Sequence, residues 1–195
     1  MILFFDTETT GLPLWSEPSE HPGQPYLVQY AGILADDHRR VIAAASMLVK
    51  PDGWEITEEA SKIHGITQEM ATRYGEPLAD VLAYHSKLYA AADLVVCHNV
   101  SFDARIMKIQ HLKLGTEYAG MIDESQKPEF CTMKTGTNIA KVPHPNGRAG
   151  YKWPKLVELH QHFFGTGVEG AHDALEDVRA TMRCYHAIME MEPTA

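Results

Sequence analysis

An α/β fold on a sheet of mixed direction is predicted by three features of this sequence. The chain opens on four apolar residues, Ile2-Leu3-Phe4-Phe5, which read as a buried strand. Two further apolar stretches, Tyr26 to Ala35 and Val41 to Val49, flank the polar turn Asp36-Asp37-His38-Arg39-Arg40, the pattern of an antiparallel hairpin. Beyond Thr57, apolar residues at helical spacing are interrupted by one more short strand, Leu94-Val95-Val96-Cys97. No internal repeat or low-complexity segment is present.

The first strand carries the chain's most informative pair. Side chains at i and i+2 leave a strand on the same face, so Asp6 and Glu8 point side by side from its end. Adjacent carboxylates repel and lose water, a cost that a hard divalent cation offsets through oxygen ligation. The alternative is a strand ending in a solvated acidic turn. Residues 13–25, with four prolines and a glycine, read as a loop in which Trp15 is either a core plug or a mobile contact, the plug being the expectation. The hairpin follows and Pro51-Asp52-Gly53 ends the meander. Thr57 caps a short helix with Glu58 and Glu59 in its first turn, and Gly65 terminates it. Thr67 caps another, and Pro77 opens a longer one with Leu78, Val81, Leu82, His85 and Leu88 inward.

After the strand at Leu94, Ser101 is expected to cap a helix whose buried stripe is Phe102, Ile106, Ile109 and Leu112, with Asp103 off the stripe. A helix over Trp153 to Phe164 turns Leu156, Leu159 and Phe163 inward and leaves His160 and His162 on the surface. The last helix runs from about His172 to Met189 on a face of Leu175, Val178, Met182 and Tyr185, with Asp177 off that face. Acids in a helix's first turns also favour the dipole, so Asp103 and Asp177 singly carry little.

Composition bounds the reading. At 195 residues, 45% hydrophobic and 22% charged, the chain is expected to fold as one domain, residues 1–195, with loop insertions at about 13–25 and 137–152. No targeting segment or membrane span is read from the sequence. Three separated cysteines, Cys97, Cys131 and Cys184, suit reduced thiols in a cytoplasmic protein. The net charge of −9 argues against holding a polyanion through bulk charge. One stretch departs from that balance: Cys131 to Val157 contains no Asp or Glu but has Lys134, Lys141, Arg148, Lys152 and Lys155, with Tyr151 and Trp153 among them. It is either a solvated loop or a basic, aromatic arm suited to single-stranded nucleic acid.

Taken together, three segments sharpen the picture: Asp6-Thr7-Glu8-Thr9-Thr10-Gly11-Leu12; His98-Asn99-Val100-Ser101-Phe102-Asp103; and Gly170-Ala171-His172-Asp173-Ala174-Leu175-Glu176-Asp177. In this order and spacing they resemble the three motifs of the DnaQ-like 3′→5′ exonucleases, in the DEDDh branch, where a histidine precedes the last aspartate by five. Lys62-Ile63-His64-Gly65-Ile66-Thr67 matches a further segment often seen between the first two. The resemblance covers residues 2 to about 189. It implies a ribonuclease H-like fold, a five-stranded mixed sheet flanked by helices. It implies that Asp6, Glu8, Asp103 and Asp177 bind two divalent cations, Mg2+ or Mn2+, with Asp6 bridging, and that His172 is the general base. It also implies that Thr9, Leu12, His64 and Phe102 meet the terminal nucleotide.

Two ions about 3.5–4 Å apart suit in-line phosphodiester hydrolysis releasing nucleoside 5′-monophosphates from a 3′ end. All-oxygen donors suit magnesium or manganese rather than zinc. The implied partner is the 3′ end of single-stranded nucleic acid, DNA favoured over RNA, and a DNA polymerase is a candidate second partner. An RNA exonuclease of the RNase T or oligoribonuclease kind, and a non-catalytic nucleic-acid or polymerase-binding module, are the competing readings. The long proline-rich loop departs from the family pattern at a position beside the expected site.

Overall fold

Five strands form one sheet in the order β3-β2-β1-β4-β5: β1 is Ile2–Thr9, β2 Leu27–Ala35, β3 Val41–Leu48, β4 Leu94–Cys97 and β5 Glu129–Cys131. The computed structural model describes residues 1–115, 127–168 and 173–191. β1 to β3 make the expected antiparallel meander, while β4 and β5 run parallel to β1, so the sheet is mixed. Among the described residues the helices are α1 (Glu58–His64), α2 (Gln68–Tyr74), α3 (Leu78–Ala91), α4 (Val100–Leu114), α5 (Thr132–Ala140), α6 (Leu156–Phe164) and α7 (Ala174–Met191).

The alternation of β1 divides its side chains between two cores. Leu3 and Phe5 join Tyr30, Leu34, Val95 and residues of α3 and α4, including Val81, Leu82 and Ile106. Phe4 joins Ala31, Ile33, Val96 and the α7 residues Val178 and Tyr185. β2 is buried at every position rather than every second one, because helices cover both faces. Thr57 and Thr67 cap α1 and α2 as expected, and Gly65 takes the left-handed φ of 74° that ends α1.

Several boundaries differ from the sequence reading. Pro77 stands just outside α3 as its N-cap. α4 begins one residue before Ser101, on Asn99 at φ 82°, and the Ser101 hydroxyl donates to Asn99 Oδ1 at 3.1 Å instead of capping. α6 starts at Leu156, not Trp153, because Pro154 keeps the residue before it out of the helical region. Trp153 is exposed, whereas His160 is buried, its Nδ1 2.9 Å from Thr166 O and its ring against Phe164. His162 is exposed as expected. β5 and α5 had no sequence signal: three strand residues show no period, and Thr-Met-Lys-Thr-Gly-Thr-Asn-Ile-Ala is poor helix material. α5 occupies residues 137–140 of the expected insertion, so the open segment begins at Lys141 and forms a small hairpin closed by the Pro143–Tyr151 bridge. Trp15 does not plug the core but lies 54% exposed. Among the described residues no helix is long and apolar enough to cross a membrane.

Candidate active site

A notch at the C-terminal end of β1 gathers the acids. β4 pairs with β1 only from Ile2 to Phe4, so Asp6 and Glu8 stand beyond the end of that pairing. Both lie on the Phe4 side of the strand, the side covered by α7, and there they meet Asp177. One carboxylate oxygen from each of Asp6, Glu8 and Asp177 lies within 4.8 Å of the other two. The same-face expectation for the first two is met, and the last helix supplies the third.

Asp103 arrives from the opposite side. Thr7 points toward α4 with Phe5, and its hydroxyl donates to Asp103 Oδ1 at 2.8 Å. Asp103 is 2% exposed, so it belongs to the buried part of α4, which includes Val100, Ile106 and Met107, rather than lying off it. The two faces of one strand therefore present all four acids: Asp6 and Glu8 directly, Asp177 through α7, and Asp103 through Thr7.

Crowding and burial hold protons on this cluster. Burial first, then the charges of Asp103, Asp177 and Glu8, push the Asp6 carboxyl well above the usual range. Burial and the neighbouring charges of Asp177, Asp103 and Asp173 bring Glu8 up to about 8. Burial brings Asp103 up to about 7, with the Thr7 hydroxyl pulling the other way. Three oxygens this close, with carboxylate donors only, fit a hard divalent cation whose charge would offset the repulsion.

Gln29, which the sequence reading passed over, orients the third acid. It sits opposite Glu8 in the β1–β2 register and is buried, with Nε2 donating to Ser46 Oγ at 3.0 Å. Its Oε1 accepts from Ala174 N at 3.3 Å, tying the first residue of α7 to the sheet. Asp173 Oδ1 accepts from Leu175 N and Glu176 N, capping the same helix. The signal was present: Gln29 is the one strongly polar side chain in Leu-Val-Gln-Tyr-Ala-Gly-Ile-Leu-Ala. His98, from the second motif, is held by both ring nitrogens, Nδ1 3.0 Å from Thr132 Oγ1 and Nε2 3.0 Å from Pro154 O. It fastens the foot of the basic hairpin to the end of β4, and burial holds its pKa down at about 4.

The other expected residues lie on β1, on the turn after it, on α4 and on α1. Thr9 and Leu12 follow the acids along β1 and out of it, Thr9 Oγ1 donating to Gly11 O at 2.7 Å and Leu12 77% exposed. Phe102 adjoins Asp103 and is partly buried against the core. His64 is buried at the end of α1, its Nδ1 accepting from Ile66 N at 3.1 Å. His172 falls outside the described residues. In the basic stretch, Tyr151, Trp153 and Arg148 are exposed, but Lys152 is committed to an ion pair with Glu158 at 2.5 Å.

Comparison with known proteins matches residues 3–185 to the exonuclease family that includes RNase T. This chain belongs to the DnaQ-like 3′→5′ exonuclease family. It is 33% identical over 188 residues to exonuclease CP81 of Escherichia phage 186, itself uncharacterised, covering 95% of this chain and 87% of that protein. It is 29% identical over 145 residues to the DNA polymerase III epsilon subunit of Aquifex aeolicus, covering 74% of this chain and 63% of the subunit. E. coli exonuclease I, crystallised with a dT13 oligonucleotide, superposes with a TM-score of 0.76 at 21% identity over 97% of this chain. This exonuclease spans 41% of that enzyme's chain. The shared architecture is the ribonuclease H-like fold expected from the motifs.

Proposed function

We propose that this exonuclease is a single catalytic domain that hydrolyses the terminal phosphodiester bond at the 3′ end of single-stranded DNA and releases nucleoside 5′-monophosphates with divalent cations bound. The observation that carries the reading is the convergence of Asp6, Glu8 and Asp177 oxygens within 4.8 Å, with buried Asp103 beside them. Asp6, Glu8 and Asp177 would hold magnesium or manganese, with Asp103 completing the set. Bound there, two such ions supply an activated water and stabilise the charge on the reacting phosphate and leaving oxygen. His172 takes the proton of the attacking water on a ring nitrogen and must be neutral to do so. Thr7 fixes Asp103, and Gln29 and Asp173 fix the start of α7, so the acids are set before substrate arrives. Thr9, Leu12, Phe102 and His64 contact the terminal nucleotide.

DNA is favoured because relatives are named as DNA polymerase III components and exonuclease I was crystallised with oligodeoxynucleotides. Association with a DNA polymerase is the matching proposal for a partner. Three buried free cysteines suit the reducing cytoplasm. The test is hydrolysis of the p-nitrophenyl ester of thymidine 5′-monophosphate. Colour release with magnesium or manganese, abolished by chelator, supports the reading; release that survives chelation contradicts it.

A further inference from the structure

The proline-rich loop has a feature that the acidic notch does not use. Trp15 is 54% exposed and follows two other exposed apolar residues in the chain, Leu12 at 77% and Leu14 at 39%. The exposed part of so large an apolar ring gains nothing from burial. The loop beneath it is nonetheless tightly built. Gln24 is 1% exposed. It accepts from Leu14 N at 2.9 Å and donates to Leu14 O at 3.1 Å and Pro18 O at 2.9 Å. From α4, Gln110 Nε2 donates to Pro25 O at 3.0 Å. Arg105 Nη2 donates to Leu14 O at 2.9 Å and Glu17 O at 2.5 Å.

Arg105 also carries the ring itself. Its guanidinium carbon lies 5.0 Å from the Trp15 ring centroid, so one face of the indole rests on a cation. At 54% exposure, a large part of the residue stays open to solvent despite the guanidinium. Arg105 stands two residues after Asp103 on the same helix, about 3 Å further along its axis and about 200° around it, so the two side chains leave α4 on different sides. Trp15 is thus held against the first turns of the helix that supplies an acid to the notch, on a loop that leaves directly from β1.

We infer that Trp15 is a stacking platform for an unpaired base of the substrate strand, on the 5′ side of the nucleotide being removed. The inference rests on the nuclease reading above. A flat ring backed by a cation suits a base linked to phosphates, and every base offers a π face, so contact of this kind tolerates any sequence. It also answers a problem of charge. A chain at −9 does not retain a polyanion by bulk attraction, and stacking on a pre-ordered ring supplies affinity that charge withholds. Within a duplex both faces of a base are covered by its stacked neighbours, so the platform selects single strands.

The test compares dT10 with the p-nitrophenyl ester of thymidine 5′-monophosphate, which has no upstream base. Trp15→Ala is expected to raise KM for dT10 by roughly 5- to 150-fold, the loss of one stacked base, with kcat and ester hydrolysis near those of the natural chain. Trp15→Phe, which keeps a flat ring, should recover most of the affinity. An unchanged KM for dT10 overturns the inference. Equal loss on ester and dT10 overturns it too, since the ring would then serve only to hold the loop. If the natural chain cleaves neither probe, the nuclease reading fails and Trp15 is decided by binding. In a Trp54→Phe, Trp153→Phe protein, quenching of Trp15 emission by dT10 supports the platform, and unchanged emission at saturation rejects it.

Discussion

Replacing Glu8 by glutamine should stabilise the metal-free protein at alkaline pH while destroying its response to magnesium. The sign follows from the crowding at the notch. The Glu8 carboxyl, near 4.5 when free, is raised to about 8 by burial and by Asp177, Asp103 and Asp173. Between those values the folded chain holds a proton that the unfolded chain has released. Stability due to Glu8 is therefore complete below 4.5 and is lost as pH rises through about 8. At 1.36 kcal/mol per pH unit the full rise corresponds to about 5 kcal/mol. Glu8 retains some solvent access, so a gain of about 1–3 kcal/mol is expected for Glu8→Gln near pH 9. Near pH 4.5 both side chains are neutral and the difference should vanish. Magnesium should stabilise the natural chain by mass action and the variant far less. Urea unfolding in chelator at both pH values, repeated with magnesium, measures all of this. A gain that is absent near pH 9, or equal at both pH values, would refute the argument that burial and the neighbouring charges raise the Glu8 carboxyl in the metal-free protein.

Four further outcomes follow from the same geometry. Asp6→Ala should remove metal-dependent hydrolysis almost completely while circular dichroism shows the fold retained; full turnover by the purified variant would reject the site. His172→Ala should keep metal binding by calorimetry but slow single-turnover cleavage by about 10²–10⁴-fold, and an untouched rate would reject the base role. Because Lys152 is paired with Glu158, the hairpin's phosphate contacts are better probed by Lys141→Ala with Arg148→Ala. That pair should lower the salt slope of single-strand binding by about two units, about one per lost contact, and an unchanged slope would detach the hairpin from the backbone. His98, held near 4, contributes stability that is complete above about 6.5 and is lost as pH falls through 4. His98→Gln should flatten this part of the acid unfolding curve, and an unchanged curve would show that the ring carries no such burden.

What could be read from the sequence was what obeys a local period. Ile2 to Phe5, the β2–β3 hairpin and the caps Thr57 and Thr67 follow from spacing and turn chemistry, and Asp6 and Glu8 share a face by the geometry of any strand. Asp103 looked peripheral because helical periodicity registers apolar residues and takes no account of a polar residue buried against Thr7. His160 was misjudged for the same reason: its burial depends on a backbone acceptor, Thr166 O, beyond the end of its own helix. Trp15 was expected inside on hydrophobicity alone, but Arg105 holds its ring and the buried Gln24 holds the neighbouring Leu14, contacts that span 90 and 10 residues of sequence. β5 and α5 escaped because one is too short and the other too poor in helix formers; the packing of Leu159 against Gly136, where a Cβ would come within 2.7 Å, makes the helix worth forming.

The most direct test of the central claim is a 5′-labelled single-stranded DNA ladder run beside the matching RNA, with magnesium and with chelator. Stepwise shortening of the DNA from its 3′ end, dependent on magnesium and faster than on RNA, is the expected result. Endonucleolytic fragments, loss of the 5′ label in the first steps, or shortening that persists in chelator would contradict a metal-dependent 3′→5′ exonuclease built on Asp6, Glu8, Asp103 and Asp177.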